Sequence, residues 1–404
     1  MLEKIIEKSY RKIQSIPMEY IRDLYHKIDW NQRLVGIVWQ RGVGKSTLLL
    51  QYLSKHYNST SVYFSADNVN IVAEGLYNTV ENLYLKKWIV HFFIDEIHKY
   101  QNWNQELKNI YDDFDDIKIV FSGSSSIDLI KWKYDLSRRL ALYRMYGLSF
   151  REYINIVTNN NFLAYSLEDI VNNEEISKEI YTEVGDKILL HFHEYLKWGY
   201  YPFFQESDNK DVYYGKLQWT IDKLIYEDIS NFYKIDSLNL EKMRKIIIFY
   251  AFAHPGKLSI NAIKEKIWLA YDTTANYLEI LQEVWILKWI NSNGVISKSI
   301  RKAKKIFIDN TNIVYAMSNE TGYNIEIGTI REIFFINNFK KNIFFSDVWD
   351  FCIKQWEKEY IFEVGGKNKT RKQLKWIDNG YIVSDDIIFP SDKKIPLWLF
   401  GFVK

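Results

Sequence analysis

The hydrophobic pattern of the chain begins with a charged amphipathic stretch and continues with short apolar runs. Residues 1–30 space their apolar side chains at helical intervals, which predicts a helical segment. Apolar runs follow at residues 34–38, 61–65, 91–94 and 117–121. Runs of this length, rich in β-branched and aromatic residues, are typical of buried strands. Together they predict an α/β domain built on a parallel sheet.

Beyond residue 155 the pattern becomes mainly helical and then returns to β-like segments. Ser259 and Asp272 are placed to begin helices of a small module. We therefore expect five parts: an N-terminal helical segment (1–30), an α/β domain (31–155), a helical linker (156–235), a small helical module (236–300) and a C-terminal domain (301–404).

A phosphate-binding motif follows the first predicted strand. Strand, Gly-Lys-Ser-Thr loop and helix occur in the order that lets main-chain N–H groups converge on anionic oxygens. Lys45 is predicted to reach the β- and γ-phosphates, and Ser46 to ligate magnesium. One position departs from the motif, because its first glycine is replaced by Trp39. The residues expected to bind the nucleotide are Arg41, Gly42, Val43, Gly44, Lys45, Ser46 and Thr47.

Two acids end the third predicted strand. Asp95 is predicted to hold magnesium through water, and Glu96 to polarise the attacking water. An apolar run that ends in acids is weak evidence alone, since any strand can end in a solvated acid. Its place downstream of the phosphate loop makes catalysis the favoured interpretation.

Polar residues after the next predicted strand extend this site. Ser124 is expected beside the phosphate loop, where it could sense the γ-phosphate, although it also fits a helix N-cap. Arg138 and Arg139 are candidates for a transition-state cation, supplied within the chain or by a neighbouring subunit. Ion pairing with the acidic segment 112–116 is the alternative for both arginines.

As a set, the motifs resemble those of prokaryotic AAA-type ATPases whose C-terminal part is a domain of unknown function related to PD-(D/E)XK nucleases. The resemblance spans nearly the whole chain and rests on RGVGKST, FFIDEIHKYQNW, VFSGSSS, DLSRR, GLSFREY, GYYPFF, IRE, EVGGKNK and IPLWLFGF. It implies hydrolysis of ATP with Mg²⁺, coupled to a winged-helix-like middle module and a restriction-nuclease-like α/β C-terminal domain. An arginine supplied in trans would require a homo-oligomer.

The C-terminal domain carries a second group of acids. Asp350 and Glu363, on adjacent β-like segments, are predicted to hold magnesium for phosphodiester cleavage, with Glu332 as a further ligand. The nuclease motif has lysine two residues after the glutamate, where this chain has Gly365. The residues that could replace this lysine are Lys367 and Lys369, and Gln373 could position phosphate.

DNA binding or docking without cleavage is the alternative for this domain. The basic residues expected to serve it are Lys367, Lys369, Arg371, Lys372 and Lys375. In the preceding module, the helix that begins near Asp272 has no Lys or Arg over residues 273–284, so packing is favoured over DNA reading there.

Composition limits the partners and the cellular compartment that we expect for the protein. The net charge of +2 over 404 residues disfavours a wholly basic nucleic-acid coat. One cysteine, Cys352, excludes an intramolecular disulfide and fits a reducing compartment. Neither a signal peptide nor an apolar run of membrane-spanning length is evident. We expect a cytoplasmic protein without a membrane partner.

Glycine is scarce and tryptophan abundant. The chain has 17 glycines and 14 tryptophans, whereas average usage gives roughly 28 glycines. We hypothesise that the source lineage reads UGA codons as glycine at some of these positions; a divergent sequence from an AT-rich genome is the alternative. If Trp39 is genuine, it crowds the loop, and a nucleotide-independent scaffold becomes the competing function. By the family pattern, glycine is expected at or near Trp39, Trp88, Trp132, Trp285, Trp349 and Trp376, and tryptophan at Trp30, Trp103 and Trp398.

Overall fold

The computed structural model describes residues 1–56, 59–124, 136, 138–254, 259–292, 305–346, 348–370, 374 and 376–404. These residues form two compact units, 1–147 and 148–404. Outside the described residues lie Trp132, Arg371, Lys372, Gln373 and Lys375.

The first unit is a parallel sheet flanked by helices. Its helices are α1 Leu2–Gln14, α2 Leu24–Lys27, α3 Lys45–His56, α4 Val69–Glu74, α5 Leu76–Lys87 and α6 Trp103–Asp113. Its strands are β1 Leu34–Val38, β2 Ser61–Ser65, β3 His91–Asp95, β4 Lys118–Gly123 and β5 Ala141–Arg144. They lie in the order β2-β3-β4-β1-β5, and all neighbours are parallel. The predicted parallel α/β domain is thus confirmed.

Strand β1 is buried along its whole length. Its Leu34, Val35 and Ile37 side chains have no exposed surface, as expected for a central parallel strand covered on both faces. Gly36 is required by close packing, because a Cβ atom there would lie 2.8 Å from the ring of Phe121. The core of the sheet therefore fixes where the loop after β1 begins.

The helical prediction for residues 1–30 is only partly right. Helices α1 and α2 are separated by residues 15–23, which contain Pro17. Proline lacks a donor N–H and disfavours helical backbone in the residue before it, so the helix cannot continue through this segment. The segment is instead held by Gln51 of α3, whose Nε2 donates to the carbonyl oxygens of Pro17 and Tyr20, each at 2.9 Å.

The second unit contains a helical region and a mixed sheet. Its α-helices are α7 Phe150–Thr158, α8 Leu167–Asn172, α9 Glu175–Val184, α10 Ile188–Glu194, α11 Lys210–Lys223, α12 Ser230–Tyr233, α13 Ser237–Phe252, α14 Ile260–Ile267, α15 Tyr271–Glu283, α16 Thr311–Thr321 and α17 Ile327–Asn337. Its strands are β6 Leu287–Ile290, β7 Lys305–Ile308, β8 Ile343–Phe345, β9 Phe351–Gln355, β10 Lys358–Gly365, β11 Gly380–Ser384 and β12 Lys394–Pro396.

Two sheets organise this unit. Strands β6 and β7 form an antiparallel pair after the helices α13 to α15. The larger sheet has the order β12-β11-β10-β9-β8; β8, β9 and β10 are antiparallel neighbours, and β10, β11 and β12 are parallel ones. An α/β C-terminal part is therefore present.

Aromatic packing holds α17 against the larger sheet. Phe335 of α17 lies 5.2 Å from Phe362 of β10, measured between ring centroids, and both rings contact Phe400 at 5.0 and 5.6 Å. All three side chains are fully buried. This contact brings Glu332, one turn before Phe335, towards the strand that carries Glu363.

No helix among the described residues is both long enough and apolar enough to cross a membrane.

Candidate functional site

Three strand ends of the first unit meet at one edge of its sheet. Strand β4 pairs with β1 on one side and with β3 on the other. Because the strands are parallel, the phosphate loop, the Asp95–Glu96 pair and Ser124 leave the sheet at the same edge. Residues far apart in the sequence are thus brought together there.

The phosphate loop closes on its own lysine. Gly42 and Gly44 have φ angles of 82° and 97°, which glycine adopts without strain. Lys45 begins α3, and its Nζ donates to the carbonyl oxygens of Trp39 at 2.9 Å and Gln40 at 2.8 Å. The lysine is 5% exposed, so its ammonium is held inside the curve of the loop where a phosphate would bind.

Arg22 supports this loop, a role that no motif in the sequence indicated. Its Nη1 donates to the carbonyl oxygen of Val43 at 2.9 Å. Its Nη2 donates to the carbonyl oxygens of Tyr146 and Gly147, at 2.8 and 3.0 Å. One guanidinium therefore ties the loop to the segment after β5.

The side chain of Trp39 lies inside the unit. It is 5% exposed, and its ring contacts that of Tyr146, with the centroids 4.3 Å apart and the planes at 61°. The main-chain N–H of Trp39 donates to the carbonyl oxygen of Gly123 at 3.4 Å. The indole thus packs against the segment that follows β5 and is not displayed to solvent.

The residues predicted to hold magnesium share one neighbour. The Tyr63 hydroxyl donates to Oδ2 of Asp95 at 2.6 Å and is also hydrogen-bonded to Ser46. Ser122 donates to Oδ1 of the same aspartate. Burial and the adjacent Asp95 raise the pKa of Tyr63 far above its ordinary value, so the phenol stays protonated. The Ser46 hydroxyl and the Asp95 carboxylate, which share Tyr63 as a neighbour, are oxygen donors of the kind that Mg²⁺ prefers. The residues present therefore fit the ion.

Glu96 is a partly buried carboxylate, with 25% of its side chain exposed. Its backbone is left-handed, with φ 51°, and its Oε2 atom is buried without a hydrogen bond to any described residue. Burial raises the pKa of Glu96, while the nearby Lys45 opposes this shift. A carboxylate oxygen that makes no hydrogen bond to the described residues is suited to accept one from a water molecule.

Ser124 contacts a histidine that sequence reasoning missed. Its Oγ lies 3.0 Å from Nε2 of His98. Ser124 and the side chain of His98 are both nearly inaccessible to solvent. The alternative role of Ser124 as a helix N-cap is not tested, because residues 125–135 lie outside the described residues. His98 stands in the sequence two positions after Glu96, which was the available signal.

The two arginines are placed differently. Arg139 donates from Nε and Nη2 to the two oxygens of Asp112, at 2.9 and 3.1 Å. Its guanidinium also lies 5.7 Å from the ring centroid of Tyr111. Within the chain, Arg139 therefore makes the ion pair of the alternative interpretation. Arg138 is exposed, and its role as a transition-state cation remains a prediction.

In the second unit, the predicted acids lie within α17, within β10 and just before β9, and they already have partners. Lys369 Nζ is 2.8 Å from Oε2 of Glu363, and Lys305 Nζ donates to Oε2 of Glu332 at 3.0 Å. Asp350 Oδ2 accepts the N–H of Val364 at 2.9 Å. Burial raises the pKa of both glutamates, and Asp350 raises it further. The charge of Asp350 thus acts on both glutamates.

Lys369 occupies the space of the missing motif lysine. A Cβ atom on Gly365 would lie 3.0 to 3.2 Å from three carbon atoms of the Lys369 side chain. The aliphatic part of Lys369 therefore crosses the bare Gly365 backbone and carries its ammonium to Glu363. Lys367, the other candidate, is exposed.

Another charged group lies beside this site. His193, Asp385 and Asp386 place one ligating atom each within 4.8 Å of one another. Arg331 already donates to both aspartates, at 2.9 and 3.3 Å. The cluster is consequently an ion network with its own internal cation.

Comparison with known proteins decides the class of the first unit. Residues 31–154 match a family model described as an AAA domain. These residues form an AAA-type P-loop domain. Residues 189–324 match a model described as a domain of unknown function, DUF8612, which leaves the nuclease resemblance a prediction.

Two archaeal relatives share most of the chain's length. The chain is 27% identical over 392 residues to the "Uncharacterized protein MJ1637" of Methanocaldococcus jannaschii, covering 88% of this chain and 81% of the relative. It is 24% identical over 364 residues to MJ1544 of the same organism, covering 87% and 76%.

A solved structure of the Saccharomyces cerevisiae Hsp104–ADP complex is 13% identical, with 70% of this chain and 42% of that chain covered and a TM-score of 0.33. The chain thus spans less than half of that protein.

Proposed function

We propose that the AAA-type domain binds ATP with Mg²⁺ and hydrolyses it. The observation that carries this proposal is the meeting of a closed phosphate loop and the Asp95–Glu96 pair at one sheet edge. Lys45 supplies a buried cation there, and Glu96 supplies a buried carboxylate oxygen that has no hydrogen bond to any residue the structure describes. Phosphoryl transfer needs little more from a protein than positioning and charge stabilisation.

Each residue has a defined task in this proposal. Lys45 exchanges the two loop carbonyl oxygens for oxygens of the β- and γ-phosphates, and main-chain N–H groups of residues 42–47 bind the same anion. Ser46 and Asp95 hold Mg²⁺, which when bound neutralises charge on the phosphates. Glu96 accepts a hydrogen bond from the attacking water and orients it. Ser124 donates to the γ-phosphate.

A ligand-dependent shift of thermal unfolding tests nucleotide binding. At a concentration 100 times Kd, a ligand that binds only the folded state adds about 2.7 kcal/mol to the free energy of unfolding. We expect such a gain with ATP and Mg²⁺ in the full chain, and its absence with adenosine, which has no phosphate. A folded chain with equal melting temperatures in both would favour the nucleotide-independent scaffold.

ATP turnover is proposed to drive conformational change in the second unit. Helices α13 to α15 followed by the β6–β7 pair have the element order of a winged-helix-like module, in keeping with the family resemblance. Helix α15 carries no Lys or Arg, so we assign it to packing rather than to DNA reading. A trans-acting Arg138 would make the active form a homo-oligomer, which light scattering with and without ATP would detect.

A nuclease-like site is the second candidate function, favoured by the course of Lys369 across Gly365. A lysine beside Glu363, with Asp350 and Glu332 nearby, has the residue types used for phosphodiester cleavage. The donor set is suitable for Mg²⁺, but Lys305 and Lys369 hold two of the carboxylates. The metal role of Asp350 and Glu363 therefore remains a prediction, as does DNA as a partner.

Cleavage of supercoiled DNA tests this candidate. Nicking that requires Mg²⁺ and disappears in Glu363→Ala and Lys369→Ala, but persists in Lys367→Ala, would support it. Nicking that survives Glu363→Ala would rule out this site as its source.

A further inference from the structure

His98 lies between the two residues assigned to γ-phosphate sensing and water activation. Its Nε2 atom is 3.0 Å from Oγ of Ser124 and 3.5 Å from Oε2 of Glu96. We propose that His98 is a positioning residue that couples Ser124 to Glu96 during ATP hydrolysis. The proposal rests on the function proposed above and adds to it a nucleotide-dependent control of the catalytic carboxylate.

Hydrogen bonding determines which ring nitrogen of His98 carries the proton. The N–H of Ser124 points to Nδ1 at 3.4 Å, so Nδ1 accepts and Nε2 bears the hydrogen. Burial, with Arg41 and Lys45 nearby, lowers the pKa of His98 to about 3, which leaves the ring neutral at physiological pH. The ring therefore has a single N–H for two neighbouring acceptors.

Ser124 and Glu96 are coupled because Oγ of the serine and Oε2 of the glutamate compete for this N–H. While Nε2–H donates to Ser124 Oγ, the serine hydroxyl is directed to donate its own hydrogen to a γ-phosphate oxygen. Without a γ-phosphate, the serine hydroxyl can rotate, and Nε2–H can turn to Glu96. Since Oε2 of Glu96 has no hydrogen bond to a described residue, the imidazole is placed to hold it away from water in that state.

Two substitutions separate this role from simple packing. In His98→Gln the side-chain amide nitrogen can take the place of Nε2, whereas in His98→Asn it can reach only the place of Nδ1. We expect His98→Gln to retain most of the ATP turnover, and His98→Ala and His98→Asn to lower kcat about tenfold or more, the size of one hydrogen bond to a charged group. ADP affinity should change less than twofold in all three.

The matched control is His91→Gln, at the start of strand β3, whereas His98 follows the end of that strand. This variant should leave kcat and the ratio of ATP-analogue to ADP affinity unchanged. For His98→Ala, this ratio should fall about tenfold, a change that a packing role does not produce. Equal kcat in His98→Gln and His98→Asn would overturn the proposal, even if His98→Ala fails to fold. If the unaltered chain and Trp39→Gly both fail to hydrolyse ATP, the proposed function itself is wrong, which is a separate outcome.

A second inference concerns the tryptophans. Among the tryptophans that the structure describes, four have left-handed backbone, with φ between 54° and 60°: Trp88, Trp268, Trp285 and Trp356. Trp88 and Trp268 are the left-handed caps of α5 and α14, positions at which helices prefer glycine. Trp356 lies in the two-residue turn between β9 and β10, where a glycine is also favoured. A bulky aromatic residue rarely adopts this conformation.

Exposure supports the same conclusion. Trp88, Trp268 and Trp356 are 79%, 88% and 98% exposed, so the indoles make little contact that could offset the backbone strain. Trp103 and Trp398, expected to be genuine, are 3% and 1% exposed and lie in helical backbone.

We also infer that glycine occupies the four left-handed positions in the protein that the source organism makes. Trp88 and Trp285 were singled out from the sequence, while Trp268 and Trp356 were not. Trp39, Trp349 and Trp376 do not have left-handed backbone, and for them the codon hypothesis remains a prediction.

Peptide sequencing by mass spectrometry, on protein isolated from the source organism, tests this inference. Glycine at positions 88, 268, 285 and 356, with tryptophan at 103 and 398, is the expected result. Tryptophan at the four left-handed positions would overturn it. The outcome is independent of ATP hydrolysis.

Discussion

The two candidate sites of the chain differ in the group to which their lysine is bonded. In the AAA-type domain, Lys45 donates to two main-chain carbonyl oxygens, which phosphate oxygens can replace. In the second unit, Lys369 is paired with the carboxylate of Glu363, so the pair carries no net charge. The first site is arranged to attract an anion, whereas the second must open an ion pair before Lys369 can bind one. This difference makes the phosphate loop the better-supported site.

The largest expected effect is the loss of ATP turnover in Lys45→Ala. Removing the buried cation leaves the phosphates without their main charge partner, and we expect a decrease of about 100-fold or more, measured as phosphate release. Lys55→Ala on the same helix α3 is the matched control, because Lys55 is exposed. Turnover that is undiminished in Lys45→Ala would place the activity elsewhere.

Glu96→Gln should separate binding from chemistry. The amide cannot accept a proton from water, so kcat should decrease about 100-fold while ATP affinity is retained. Glu363→Gln is the control measured in the same assay. It should leave ATP turnover unchanged, because Glu363 belongs to the candidate site of the second unit. A similar loss in both variants would show that the two sites are not distinct in function.

Lys305→Met tests the buried ion pairing of the second unit. Lys305 and Glu332 have side chains only 9% and 11% exposed, and an uncompensated Glu332 should lower the free energy of unfolding by about 3 kcal/mol. Denaturant titration measures this, with the exposed Lys354→Met as control.

The loss of stability caused by Lys305→Met should become smaller as the pH falls. Burial raises the pKa of Glu332 above its unfolded value, so stability is retained at acidic pH and lost as the pH rises through the folded-state pKa. Removal of Lys305 raises this pKa further, and the variant should therefore approach the unaltered chain in stability as the pH falls. A pH-independent difference would contradict the ion-pair account.

The smallest expected effects come from the left-handed tryptophans. Trp88→Gly relieves the strain of a left-handed residue and should raise the free energy of unfolding by about 1 kcal/mol. Trp398→Gly, in the buried C-terminal turn, should instead lower it by about 3 kcal/mol or more, because it leaves a cavity. Thermal unfolding of the two variants measures the contrast; a loss of stability in both would contradict the backbone argument.

The sequence was most informative where local chemistry dictates local structure. Apolar runs predicted β1 to β4, and the Gly-Lys-Ser-Thr loop predicted the position of Lys45, since both depend on neighbours in the chain. Pro17 was present in the sequence, yet its interruption of the first helix was overlooked. The contacts of Tyr63, His98 and Arg22 could not be read in the same way, because they depend on strand order and on side chains far apart in sequence.

The C-terminal site also depends on contacts that the sequence does not reveal. The departure of Gly365 from the nuclease motif was evident, and two lysines were named as replacements for the missing lysine. Only the course of the chain after β10 distinguishes Lys369, which crosses Gly365, from the exposed Lys367. The pairing of Lys305 with Glu332 depends on the packing of α17 and was not expected.

Calorimetric titration of Mg²⁺ and ATP into the folded full chain tests the central claim most directly. It should be made with tryptophan and with glycine at position 39, each with and without Lys45→Ala. The account predicts that the glycine form binds ATP and that Lys45→Ala abolishes the binding. A folded glycine form that takes up no nucleotide would contradict the assignment of residues 41–47 as an ATP site.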